Sequence, residues 1–232
     1  MVRFPEPYVK GDQMCFSAGA SFTAGVLLTF VGTETIKKVH KPSQIIFAGI
    51  PAFFALQQFS EGILWLTMTH TGYAGLQNVF TYIFIVMAQI VWPAMIPLSV
   101  FLLEENRVRK KILSGLLAVG VVVAGYNLWM LIIHGVYAEI SGRHLVYQSS
   151  RQDSLGMAAL IVYLAVTILP IFVSSIKRMF ILGIIMALAF AVSAFFYMQC
   201  LTSVWCFFAA VISFAVFYII RDAHKKFHMS PA

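Results

Sequence analysis

Apolar side chains in this chain run in long blocks, not in the alternation expected of a half-buried strand. Seven blocks stand out, at 16–36, 43–69, 77–103, 112–134, 155–175, 179–198 and 202–220. A helix rising 1.5 Å per residue needs about 20 apolar residues to cross the hydrocarbon of a bilayer, so each block predicts one transmembrane helix. The fold class read from this pattern is all-α: an integral membrane bundle of seven helices in a single domain, 15–221. A polar tail precedes it at 1–14 and a second tail follows at 222–232. Pro93 and Pro97 in the third block and Pro170 in the fifth predict kinks rather than breaks, because neighbouring helices satisfy the backbone groups that proline frees.

Composition points the same way. Of the 232 residues 60% are apolar and 11% charged, whereas a soluble domain carries about a quarter charged residues. Lipid must therefore be the solvent for most of the surface, and the bilayer is the first predicted partner. The net charge of +7 would suit a polyanion, but the basic residues lie in short clusters between apolar blocks. That is a pattern of topology, and no nucleic-acid partner is expected. One set of connections holds Lys37, Lys38, Lys41, Arg107, Arg109, Lys110, Lys111, Lys177, Arg178, Arg221, Lys225 and Lys226; the other keeps Arg3, Lys10, Arg143 and Arg151. Basic connections stay cytosolic, which predicts an outside N-terminus and a cytosolic C-terminus. Such a topology requires an odd number of spans, in accord with seven. The first fourteen residues are polar and nearly neutral, so the first helix is expected to serve as both address and anchor, with no cleavable signal peptide.

One residue stands against this background. Glu61 is the only acidic side chain well inside a block; Glu34 lies at the end of the first, and the other seven fall in tails or connections. A carboxyl at membrane depth is costly and therefore faces the bundle interior. Gln58, Glu61 and Trp65 lie at i, i+3 and i+7, on one helical face, with Gln57 beside them. Gln89, Tyr126, Asn127, Tyr163 and Trp205 lie at comparable depth on other blocks. No lysine or arginine reaches that depth, so amide and indole donors, a proton, or a cationic ligand must balance Glu61. The candidate ligand-binding set is Glu61, Gln57, Gln58, Trp65, Gln89, Asn127, Trp205, Cys206 and Cys15.

The cysteines Cys15, Cys200 and Cys206 all fall toward the predicted outer half. Packing thiols, a bridge from Cys15 to Cys200 or Cys206, and ligation of a soft metal all fit, and no metal site is assigned. None of the six histidines lies deep in a block. The last block has no lysine for a retinal Schiff base, and neither HExxH nor a glycine-rich phosphate loop occurs. Small residues recur at helical spacing in Ser17, Ser21 and Gly25, in Gly120 and Ala124, and in Cys206, Ala210 and Ser213. These are faces for close helix packing or for a homo-oligomer seam.

Three stretches carry a resemblance: Met-Cys-Phe-Ser-Ala at Met14 to Ala18, Ile-Pro with Gln-Gln and Glu-Gly-x-x-Trp from Ile50 to Trp65, and Ser-Val-Trp-Cys-Phe-Phe from Ser203 to Phe208. With Trp92-Pro93 and Pro97-Leu98, they resemble an uncharacterised family of bacterial multi-pass membrane proteins, from Met14 onward. The resemblance implies a multi-pass protein of the cell (inner) membrane with Met14 as its start, and it brings no activity or cofactor. Three readings of function remain open. The leading one is a binder or transporter of a small ligand or ion, through an outward-facing polar pocket around Glu61. The second is an intramembrane redox or hydrolytic enzyme using Cys15, Cys206 and Glu61. The third is a structural membrane protein in which Glu61 is a buried polar clamp. The residues favour binding over catalysis.

Overall fold

Each apolar block forms a helical rod. The computed structural model describes residues 17–141, 144–149, 156–196 and 201–229. The rods are α1 (Ala18–Ile36), α2 (Ile45–Met68), α3 (Ala74–Ile85) running through a π-helical turn at Val86–Val91 into α4 (Trp92–Leu103), α5 (Arg107–His134), α6 (Gly156–Val173), α7 (Lys177–Phe196), and α8 (Leu201–Ile212) followed by α9 (Phe214–Met229). Ser17 caps α1 by accepting from Ala20 N, and Asn106 caps α5 by accepting from Val108 N and Arg109 N. Residues 1–16, Cys15 among them, and Arg143, Arg151 and Cys200, on which further expectations rest, lie outside the described residues.

Among the described residues four stretches are long and apolar enough to cross a membrane, Ala74–Leu103, Arg107–His134, Lys177–Phe196 and Leu201–Ala223; Ala158–Val173 is a shorter apolar helix. The polar run Gln57, Gln58, Ser60 and Glu61 dilutes α2, which is otherwise apolar. Polarity is distributed inside out. Phe195 and Ile132 are 83% and 74% exposed while Gln57 and Gln58 are 0% exposed, the arrangement that hydrocarbon surroundings favour and water penalises.

The rods pack through small residues. A Cβ on Gly25 would lie 3.0 Å from the Phe59 ring, and one on Gly32 only 2.9 Å from Ala52 N, so α1 lies almost backbone to backbone on α2. The small-residue faces read from the sequence are thus used within the chain. The tightest approach is at the prolines. Pro93 and Pro97 donate no N–H, which frees the carbonyls of Gln89 and Pro93 four residues earlier. Asn127 Nδ2 on α5 donates to Gln89 O at 2.8 Å, and Tyr163 OH on α6 to Ala88 O at 2.6 Å. Gly120 on α5 presses on Pro93 O, which a Cβ there would approach to 2.1 Å. The expected kink is therefore a π-turn gripped by two neighbouring helices.

Two ends of the bundle are distinct. At the basic end, Glu104 is buried and accepts from Asn106 N (2.9 Å), Ser175 N (2.7 Å) and Ser175 Oγ (2.7 Å). Arg109 returns the tie by donating to Val173 O and Ser174 O. Burial alone would raise the Glu104 carboxyl, but the N–H groups of Ser175 and Asn106, the Ser175 hydroxyl and the Arg109 charge outweigh it and hold it below the usual value. Lys41–Glu105 and Arg178–Asp222 ion pairs join further connections there. At the other end the α5–α6 connection departs from the all-α expectation and contains an antiparallel hairpin, β1 (Tyr137–Ser141) and β2 (His144–Gln148), with Tyr137 opposite Gln148 and Glu139 opposite Val146. Its Leu145 is buried in a cluster with Leu64 and Trp65, and its Tyr147 stacks on Phe84 at 4.6 Å. The last rod breaks at Ser213, whose N–H is shared by Ala209 O and Ala210 O, and α9 continues beyond the expected limit at Ile220.

Candidate functional site

The face of α2 that carries Glu61 is buried along its whole length. Stepping about 100° per residue, Ile50, Phe54, Gln57, Gln58, Glu61 and Trp65 fall within one arc, and all are buried. Glu61 itself is 2% exposed. Its Oε1 accepts from the hydroxyl of Ser203 on α8, across the bundle. One turn earlier, Gln57 Oε1 accepts from Trp92 Nε1 at 2.9 Å, and the Trp92 ring stacks on Phe54 at 4.0 Å. The indole thereby fixes the amide of Gln57 and leaves its NH2 turned to donate. Cys206, three residues after Ser203 and so on the same face of α8, is a free buried thiol beside Gln57.

The hairpin supplies a member that the sequence reading missed. Tyr147 is half-buried between Phe84 and the Trp65 cluster, with its hydroxyl out of solvent and in electrostatic reach of Glu61 and Cys206. Burial pushes its phenol well above the ordinary range, and the neighbouring Glu61 and Cys206 push the same way, so Tyr147 brings an O–H donor.

What marks this region is the number of polar atoms that the protein leaves unmatched. Gln57 Nε2, both side-chain polar atoms of Gln58 and Tyr147 OH are buried without a hydrogen-bond partner. Native interiors pair such groups almost completely, and each unmatched group costs about 1–3 kcal/mol. An assembly of several in one place is what a site for a polar guest or bound water requires.

The predicted residues divide cleanly. Glu61, Gln57, Gln58 and Cys206 come together, and Trp65 closes the group on the hairpin side with Leu145. Trp205 stands on the opposite side of α8 from Ser203, edge-on to Tyr163 and Phe190, where it walls an apolar cavity of about 50 Å³. Asn127 and Gln89 belong to the π-turn instead: the amide of Asn127 is spent on Gln89 O. They share depth with Glu61 but not its face. Cys15 lies outside the described residues. Ser203 and Trp92, unassigned in the sequence reading although both stand in its recognised stretches, supply the protein's own bonds to the site. Among the described residues no cluster of three or more His, Cys, Asp and Glu side chains is positioned for a metal ion.

Residues 14–230 match the profile of a family of unknown function, DUF6629. The chain belongs to that family. No curated protein and no solved structure shows a match. In this DUF6629 member the match takes in every rod and both ends of the Glu61–Ser203 bond.

Proposed function

We propose that this protein is a seven-span membrane protein of the cell (inner) membrane, with its N-terminus outside and its C-terminus cytosolic, that binds a small polar ligand or ion at Glu61 and carries it across the bilayer. The observation that bears most weight is the set of unmatched buried atoms around one carboxyl: Gln57 Nε2, Gln58 Nε2 and Oε1, and Tyr147 OH. Gln58 Oε1, Tyr147 OH and the Glu61 carboxylate offer oxygens to a cation; the amides of Gln57 and Gln58 offer donors to an acceptor. The orientation is supported by the basic connections meeting at one end, through Lys41–Glu105, Glu104–Ser175 and Arg178–Asp222. Access from outside requires the hairpin to lift, because Leu145 and Tyr147 pack over the site on that side.

The test is flux in proteoliposomes loaded with a pH-sensitive or alkali-cation-sensitive dye, comparing wild type with Glu61→Gln. The proposal expects the neutral isostere to abolish flux while the protein still folds and inserts. A second reading has its own support: the Ser203–Glu61 and Trp92–Gln57 bonds tie α8 and α4 to α2, as a structural clamp would. Under that reading Glu61→Gln changes thermal stability, and wild type and variant are equal in every flux assay.

A further inference from the structure

The cavity beside the Glu61 cluster has a chemistry of its own. It runs along the bundle toward the basic end, walled from Trp92 to Val100 on α4 and from Tyr163 to Ile171 on α6. Eight helical steps along each helix make it about 12 Å long. A volume of about 50 Å³ drawn out over that length makes a slot one chain wide, not a chamber for a ring system. No charged residue lines it.

Its hydroxyl and indole wall groups are spent, with one exception. Ser99 Oγ donates to Ile96 O, Thr167 Oγ1 to Tyr163 O and Ser213 Oγ to Ala210 O. Tyr163 OH and Trp92 Nε1 donate to Ala88 O and Gln57 Oε1. Trp205 lines the slot at the Glu61 end, is 8% exposed, and its Nε1–H has no partner. An indole nitrogen can only donate. A guest that satisfies it must bring an acceptor oxygen, and without a cation in the wall that oxygen must be neutral.

We infer that the slot between α2, α4, α6 and α8 is a second binding site, for a slim neutral aliphatic molecule whose single oxygen, that of an alcohol, aldehyde or ester, accepts from Trp205 Nε1. The site differs from the Glu61 site in taking an apolar body, and on α8 it is lined by Trp205, Ala209 and Ile212, with Cys206 standing between the two sites.

The test uses 5-fluorotryptophan-labelled protein in lipid nanodiscs, whose four tryptophans give four fluorine resonances, titrated with 1-decanol and with decane. Trp129, 58% exposed, reports general partition into the bilayer. The Trp205 resonance should respond to decanol at a concentration about 2- to 12-fold lower than to decane, the range for one neutral hydrogen bond. Ala209→Leu, which fills the slot, should remove the Trp205 response to both. Should that variant lose its dispersed resonances, Trp205→Phe keeps the ring and removes the N–H; the Trp92 resonance should then respond to decanol and decane alike. A Trp205 response that merely follows Trp129, equal responses to the two compounds in wild type, or a decanol preference that survives in Trp205→Phe would each overturn the assignment.

Discussion

Gly120 and Gly125 lie on the same helix five residues apart, and the packing assigns them opposite responses to the same substitution. A Cβ added at Gly120 would sit 2.1 Å from Pro93 O; at Gly125 it would meet nothing within 4 Å. Ordinary carbon–oxygen contacts lie at about 3.3–3.6 Å, so Gly120→Ala requires α5 and α4 to part by more than an ångström. Both contacting groups are backbone, and no side-chain rotation relieves them. Overpacking of this kind costs about 1–3 kcal/mol. Parting the helices also stretches the Asn127–Gln89 bond beside it, which places the expected loss at the upper end of that range. At Gly125 alanine only removes backbone freedom from the unfolded chain, a gain of about 0.5–1 kcal/mol.

The unfolded-state gain is common to both variants and cancels, so they should differ by the overpacking loss alone, about 1–3 kcal/mol. Equilibrium unfolding in mixed micelles of mild and denaturing detergent measures the difference, with far-UV circular dichroism following the helices. A Gly120→Ala protein as stable as Gly125→Ala would refute the reasoning, since it would mean that α5 does not rest on the proline-freed carbonyl.

Two further outcomes follow from groups at the bundle's ends. The Glu104 carboxyl titrates below its usual value, so its contribution to stability is whole above the ordinary carboxylate range and is lost as pH falls through the depressed folded value; a pH series of melting temperatures should show Glu104→Gln less stable than wild type at neutral pH, with the gap closing on acidification, and a constant gap would contradict the clamp. Tyr147→Phe removes a buried hydroxyl without a partner, so thermal stability should hold or rise while flux or ligand affinity in the Glu61 assay falls; a loss of stability of 1 kcal/mol or more would mean that the hydroxyl is bonded within the protein.

The helices were legible because hydrocarbon imposes a length on apolar runs, and the rods begin and end within a few residues of the blocks. The exceptions have identifiable causes. The last rod outruns its block because Phe214–Met229 trades an apolar run for a mixed apolar and basic one, which a search for hydrocarbon-length blocks passes over. The hairpin was written in the alternation of Tyr137–Gln148, with Leu145 and Tyr147 on one face, but twelve residues between two long apolar blocks read as a connection. Tyr147 was lost to the candidate site with it.

The site itself was legible in part, and the reason lies in geometry. An acid within an apolar block is conspicuous, and its neighbours at i−4, i−3 and i+4 follow from the helical period alone. Depth along the membrane places residues on a level but does not say which way they face, so Asn127 and Gln89 were grouped with Glu61 on level only. Their real employment could have been read from the prolines: Pro93 leaves the carbonyl four residues earlier without a donor, that carbonyl belongs to Gln89, and an asparagine at matching depth is a natural donor to it. The Glu61–Ser203 bond spans 142 residues, and no local rule reaches across that distance. Buried polar residues in such a bundle thus fall into two groups. Asn127 is claimed by the carbonyl that Pro93 frees, whereas Gln57 and Gln58, about ten residues past the Phe47 carbonyl that Pro51 frees in α2, keep unmatched side-chain atoms.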